Sequence, residues 1–161
     1  MVFSSSKQVM RTFTRVGVYA IIIRDSSILL TEKGKGGCYE GLFDLPGGGI
    51  EFGETPQETL CREVLEEVGM TFDSMLFFDN LSCAFDVPIN KLKSLHMCEQ
   101  NGQDELVGFH QIGLIYKVEG ALQVQKGQDA SFWHDIESLS LQSLTPFARK
   151  VVQHLQEMKN K

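Results

Sequence analysis

Apolar and polar positions alternate in blocks whose period changes along the chain. Residues 16–23, VGVYAIII, are almost wholly apolar and rich in β-branched side chains, and the run stops at Arg24 and Asp25. The RDSS that follows predicts a tight turn and ILLT a second strand, so the pair reads as a β-hairpin. The glycines of GKGGCYEG break any periodicity and mark a loop. MLFF, at 75–78, reads as a short strand. From about Asp79 to Leu106 the character is mixed, with Pro88 and the polar run CEQNGQDE, and this predicts a long loop with one short helix around Lys91. FHQIGLIYKVEG, at 109–120, is the clearest later strand, with ALQVQ as a weaker partner. At the end, Thr145 and Pro146 open a helix that carries Phe147, Val151 and Leu155 at helical spacing.

Between the first strands and MLFF lies GGGIEFGETPQETLCREVLEEVGM, 47–70. Thr55, Pro56 and Glu58 form a helix start: Thr55 accepts a backbone N–H bond, Pro56 suits the first helical position, and Glu58 completes a capping box. Gly69 marks the far end. At about 100° per residue, Leu60, Cys61, Val64, Leu65 and Val68 share one arc, and Glu63, Glu66 and Glu67 share the opposite one. Strands and helices therefore interleave, which predicts an α/β or α+β sandwich. No repeat, low-complexity tract or linker divides the chain, so residues 1–161 are expected to form one domain.

Composition narrows the partners. With 161 residues, 42% of them hydrophobic, the chain can bury a core without disulfides or a structural metal. A net charge of −6 argues against a basic face that grips duplex nucleic acid. An anionic substrate would then need a bridging cation. Cys38, Cys61, Cys83 and Cys98 are widely spaced without a CxxC pair, and His96 beside Cys98 makes no metal pair, so reduced thiols in a cytosol are expected. The opening MVFSSSKQVMRTFTR lacks the apolar run of a signal peptide, and residues 16–23 are too short to span a bilayer. A cytoplasmic protein, monomeric or homodimeric, is the expectation.

The crowded acidic arc poses the chemical question. Solvated helix faces usually intersperse Lys or Arg at i+4, yet position 67 is another Glu and position 70 is Met. Each carboxylate pair at about 6 Å repels by roughly 1 to 3 kcal/mol, depending on the effective dielectric. A hard divalent cation turns that cost into a gain, because magnesium takes oxygen ligands and meets substrates through phosphate oxygens. LPGGGIEFGE, just before the helix, adds a glycine turn that allows close backbone approach and a carbonyl as a further oxygen ligand.

The segment resembles the Nudix box, in which Gly, five residues, Glu, seven residues, and Arg-Glu-aliphatic-any-Glu-Glu-any-Gly-aliphatic follow one another. Gly48, Glu54, Arg62, Glu63, Val64, Glu66, Glu67, Gly69 and Met70 fill it, Met70 departing mildly from the aliphatic end. Seven fixed residue types at average frequencies coincide by chance on the order of once in 10⁸ starting points. The surroundings agree: ILLT precedes the box, LPGG leads into it, and HQIGLIY and a Trp before a terminal helix follow.

The resemblance implies the Nudix fold, an α/β/α sandwich with a central mixed β-sheet, and hydrolysis of a nucleoside diphosphate linked to another group. It implies Glu63, Glu66 and Glu67 as metal-binding carboxylates, joined by the carbonyl of Gly47, with magnesium as cofactor and manganese as its substitute. Arg62 and Glu54 are implied as supports of that set. Lys33 sits where many members carry a basic residue that touches substrate phosphate. A carboxylate must accept the proton of the attacking water; box glutamates such as Glu66, the later Asp129, and the loop residues Glu99, Asp104 and Glu105 are the candidates.

Accessory signatures of several subfamilies are missing. Phe85 stands where ADP-ribose hydrolases usually have Pro, Asp86, Val87 and Pro88 stand where diadenosine polyphosphate hydrolases tend to have Tyr, and the coenzyme A group's arginines are absent after LLT. What remains is a small nucleotide, a nucleoside di- or triphosphate or a nucleotide sugar, with Tyr39, Phe85 or Phe109 available to stack on a base or simply to pack. A non-catalytic module that senses a nucleotide on the same fold is the alternative.

Overall fold

A computed structural model of the chain describes residues 11–88, 91 and 106–159. Its centre is β1 (Thr12–Ile21), and the chain breaks at Ile22 before the short β2 (Ile23–Arg24). The hairpin foreseen around RDSS joins β2 to β3 (Ser27–Glu32), while β1 itself belongs to another sheet. Beyond the glycine loop come β4 (Phe43–Asp44), β5 (Gly47–Gly49), helix α1 (Pro56–Val68), β6 (Met70–Thr71), β7 (Ser74–Pro88), β8 (Leu106–Glu119), β9 (Leu122–Gln123), β10 (Ser131–Asp135) and helix α2 (Pro146–Lys159).

The first sheet runs β5-β1-β8-β7 and is mixed: β1 and β8 are parallel from Thr12↔Gly108 to Ile21↔Lys117, and the outer pairs are antiparallel. A second sheet runs β10-β3-β2, with β4 also paired to β3. β1 explains the unbroken apolar run, because both of its faces are covered. Val18, Ala20 and Ile22 meet Leu60, Val64 and Val68 of α1, whereas Tyr19 and Ile21 join Phe147, Ala148, Val151 and Val152 of α2. Two helices thus sandwich the sheets, an α+β arrangement of the expected layering.

Three expectations need correction. Residues 79–88 and Leu106 are strand, not loop, because β7 and β8 pair along their whole lengths. The missed signal is an alternation: Leu81, Cys83, Phe85 and Val87 turn inward between exposed Asn80, Ser82, Ala84 and Asp86. Leu122–Gln123 pairs with β6 rather than with β8. On α1, Cys61 is exposed and the buried positions are Thr59, Leu60, Val64 and Val68, since the Thr59 hydroxyl satisfies itself on Glu54. Lys91 has 3-10 conformation; Glu99, Asp104, Glu105, His96 and Cys98 lie outside the described residues. Among the described residues no helix is long and apolar enough to cross a membrane.

Candidate active site

Helix α1 is fixed at both ends by its own sequence. At the start, the Thr55 hydroxyl accepts from the Glu58 N–H at 3.2 Å while Glu58 Oε2 accepts from the Thr55 N–H at 2.8 Å. Such a cap contributes about 1 kcal/mol. At the far end Gly69 takes φ 68°, a left-handed value that favours glycine.

The last carbonyls of a helix have no partner within it. Here one distant segment supplies the donors. The N–H groups of Gln128 and Asp129 bond the carbonyls of Glu66 and Glu67 at 2.9 and 3.0 Å, and those of Val124 and Gln125 both reach Gly69. Gln123 Nε2 donates to the Val68 carbonyl at 2.8 Å. This stitching brings Asp129 up to the acidic end of α1, although the two are 62 residues apart in sequence.

The acidic arc does not stand free. Arg62 grips Glu54 with a two-pronged contact, Nε to Oε1 at 2.6 Å and Nη2 to Oε2 at 2.9 Å, and its Nη1 reaches Glu63 Oε1 at 2.8 Å and Glu66 Oε2 at 3.5 Å. The hydrogen bonds from Arg62 hold the Glu54 carboxyl down at about 2, and those to Glu54 and Glu63 raise Arg62 further. A methyl group at Gly48 would overlap the Glu63 carboxylate, so the glycine turn is the wall against which Glu63 rests. Glu67 Oε2 accepts the Gly47 N–H at 2.9 Å, and its Oε1 stands 3.7 Å from Lys33 Nζ. Burial pushes the Glu67 carboxyl up to about 7, against the pull of Lys33 and the Gly47 N–H, with Asp129 and Glu63 adding to the rise. Burial alone would lower the Lys33 ammonium, but Glu67, Asp44, Asp129 and Glu63 outweigh it and hold it above its ordinary value.

Gly47, Gly48, Glu63, Glu67 and Lys33 border a cleft of about 320 Å³. Its other end is aromatic: Tyr39, Phe85 and Phe109 line it, with ring centroids 5.8 Å apart for Tyr39 and Phe85 and 5.5 Å for Phe85 and Phe109. All three aromatics singled out in the sequence therefore meet in one place. Glu66 is the outlier: it stands apart from these lining residues, its side chain 48% exposed.

Sequence reasoning missed Asp44, Tyr19 and Gln111, which also line the cleft. Gln111 Nε2 donates to the buried Tyr19 hydroxyl oxygen at 2.5 Å, and burial raises that phenol. The signal for Gln111 was available: it is a polar residue in phase with inward Val107, Phe109 and Ile115.

Among the described residues no group of three or more acidic, histidine or cysteine side chains stands together as a ready metal site. The donors nevertheless suit one kind of ion. They are oxygens only, and Glu67 is a half-buried carboxylate whose ionisation a divalent cation would favour. A small cation held by Glu63, Glu66, Glu67 and the Gly47 backbone would sit beside a polar cleft with an aromatic far wall.

Comparison with known proteins bears on the family and the fold. The family described as NUDIX domain matches residues 13–155. An ADP-ribose pyrophosphatase of Methanocaldococcus jannaschii is 46% identical over 55 residues, which are 34% of this chain and 32% of that protein. An 8-oxo-dGTP diphosphatase of Escherichia coli is 32% identical over 71 residues, 44% of this chain and 55% of that protein. The chain thus spans only a third to about half the length of these relatives. Among solved structures, a MutT NUDIX hydrolase from Burkholderia pseudomallei superposes with a TM-score of 0.61 at 22% identity, covering 88% of this chain and 97% of that one. That likeness concerns the fold, and the family match runs from the first strand into the last helix: the chain belongs to the NUDIX domain family.

Proposed function

We propose that this protein is a magnesium-dependent pyrophosphohydrolase, a hydrolase of phosphoric anhydride bonds that cleaves a nucleoside diphosphate linked to another moiety. The observation that carries the reading is the convergence, on one cleft, of the Glu63 and Glu67 carboxylates, the Lys33 ammonium and the Tyr39, Phe85 and Phe109 rings. Acid and cation together suit a metal-bridged phosphate, and the rings suit a base. The relatives named for ADP-ribose and for 8-oxo-dGTP support a small nucleotide as the substrate class.

In this reading Glu63, Glu66, Glu67 and the Gly47 carbonyl hold magnesium, or manganese in its place. Bound magnesium supplies charge neutralisation for the diphosphate and acidifies water beside it. Arg62, itself anchored by Glu54, keeps Glu63 and Glu66 aimed. Lys33 faces the phosphate, and Tyr39 and Phe85 stack on the base. Glu66 or Asp129 accepts the water proton: Glu66 is half exposed and within reach of Arg62, and Asp129 is stitched to the backbone of Glu67. One Nudix hydrolase domain over 1–161, a cytoplasmic location and a monomer or homodimer complete the proposal.

The test is phosphate release from a panel of nucleoside triphosphates and nucleotide sugars with magnesium. Because loss of a residue that merely supports a metal ligand costs 10–100-fold, Glu66→Gln and Glu67→Gln should each lower turnover by about 100-fold or more. Turnover that both variants keep intact would remove the catalytic assignment. Nucleotide binding with no turnover in the parent would favour the sensing module.

A further inference from the structure

Among the described residues Asp44 is the buried carboxylate, 6% exposed, and the proposed chemistry gives it no task. Its Oδ1 is saturated: the Leu45 N–H donates to it at 2.9 Å and the Thr145 hydroxyl at 2.6 Å. Thr145 is itself buried and immediately precedes α2, so the carboxylate is clamped between β4 and the start of the last helix. Its Oδ2 faces the Lys33 ammonium, with Nζ 3.9 Å away.

Among the described residues, two carboxylates of different kinds stand within ion-pair distance of Lys33. Glu67 belongs to the set proposed to hold metal, and once it does so its charge is committed elsewhere. Asp44 is outside that set, and its Oδ2 remains turned to the lysine. A lysine side chain is long and flexible and its ammonium is a point charge without intrinsic direction, so a fixed carboxylate behind it decides where it rests.

We infer that Asp44 is a positioning residue for Lys33: clamped through Oδ1 by Leu45 and Thr145, it holds the ammonium in the cleft through Oδ2 when Glu67 turns to the metal, and so keeps it facing substrate phosphate. The inference rests on the phosphate-binding reading of the cleft. On this inference the charge at Oδ2, unlike the Oδ1 clamp, acts through Lys33, so the effect of removing that charge vanishes when Lys33 is gone.

Two readouts test it, magnesium pyrophosphate binding by calorimetry and kcat/KM on whichever nucleotide of the panel is turned over. They are measured for the parent, Asp44→Asn, Lys33→Gln and the double variant. Asparagine retains the acceptor for Leu45 and Thr145 and removes the charge at Oδ2. Asp44→Asn should weaken pyrophosphate binding and kcat/KM by about tenfold in the parent background and change neither in the Lys33→Gln background. A merely structural Asp44 would give equal losses in both backgrounds, and that result overturns this inference while leaving the phosphate reading intact. A parent that neither binds pyrophosphate nor turns over any nucleotide overturns both. Should Asp44→Asn fail to fold, Thr145→Val, which releases one clamp on Oδ1, replaces it. Its loss of about threefold should likewise appear only where Lys33 is present, and equal losses in both backgrounds overturn the inference.

Discussion

Glu67 Oε1 stands 3.7 Å from Lys33 Nζ, so a lysine serves as a counter-charge of the carboxylate proposed to bind metal. Lysine and metal then compete for the same oxygen. Removing the lysine should have opposite effects on the two ligands. Lys33→Gln should tighten metal binding without nucleotide by several-fold, because a like charge a few ångströms away repels the ion. The same variant should lower kcat/KM. A manganese titration followed by steady-state kinetics reads both signs.

The pH dependence follows from the same carboxyl, pushed from its ordinary 4.5 up to about 7 by burial. Between those values the folded chain holds a proton that the unfolded chain has already shed. Stability of the metal-free protein should therefore fall as pH rises through this window, and Glu67→Gln should remove that part of the slope. Metal affinity should rise about tenfold per pH unit below 7 and level off above it, because proton and ion exclude each other. Thermal melts and metal titrations from pH 5 to about 8.5 check both statements.

Glu54 behaves in the opposite sense. Its carboxyl is held down at about 2, chiefly by the hydrogen bonds from Arg62, so its stabilisation is present above 4.5 and lost as pH falls toward 2. Glu54→Gln should flatten acid denaturation over that range. Arg62→Lys cannot make the paired contacts to Glu54 and also reach Glu63, and should cut turnover by about tenfold with little change in KM.

How much of this was legible in the sequence depends on range. The capping box and the Gly69 stop are local, written within one helix, and the structure has them as read; of the three glutamates on the acidic arc, Glu63 and Glu67 line the cleft and Glu66 stands apart from it, half exposed. The stitching of Gln128 and Asp129 to the carbonyls of Glu66 and Glu67 is not legible, because backbone donors carry no side-chain signature. Asp44 was hidden for a related reason: its partner Thr145 is 101 residues away. β7 was misread because Pro88 and the polar stretch beyond it drew attention from the alternation of Leu81, Cys83, Phe85 and Val87.

The stitching makes its own prediction. A methyl at Gly127 would overlap the Glu67 carbonyl, and one at Gly69 would meet the Gln125 carbonyl. Gly69→Ala also forces a side chain into a left-handed backbone, at a cost of roughly 1–2 kcal/mol before any overlap is counted. Gly127→Ala should spare α1 but displace Asp129, so hydrogen exchange should quicken at Gln128 and Asp129 and stay slow in the helix.

The aromatic end should govern affinity for the base. Phe85→Ala should raise KM for a nucleotide by about tenfold, within the range of about 1–3 kcal/mol for loss of one stacking partner. Binding of magnesium pyrophosphate, which has no base, should not change. Equal weakening of both ligands would mean that Phe85 supports the fold rather than the base.

The central claim is that the acidic face of α1, closed by Gly47 and Gly48, holds a divalent cation. The direct measurement is electron paramagnetic resonance titration of manganese into the nucleotide-free protein at pH 8, with magnesium as competitor. The account expects saturable binding that magnesium displaces and that Glu67→Gln weakens at least about tenfold. Manganese that remains free, or binds the parent and Glu67→Gln alike, would contradict it.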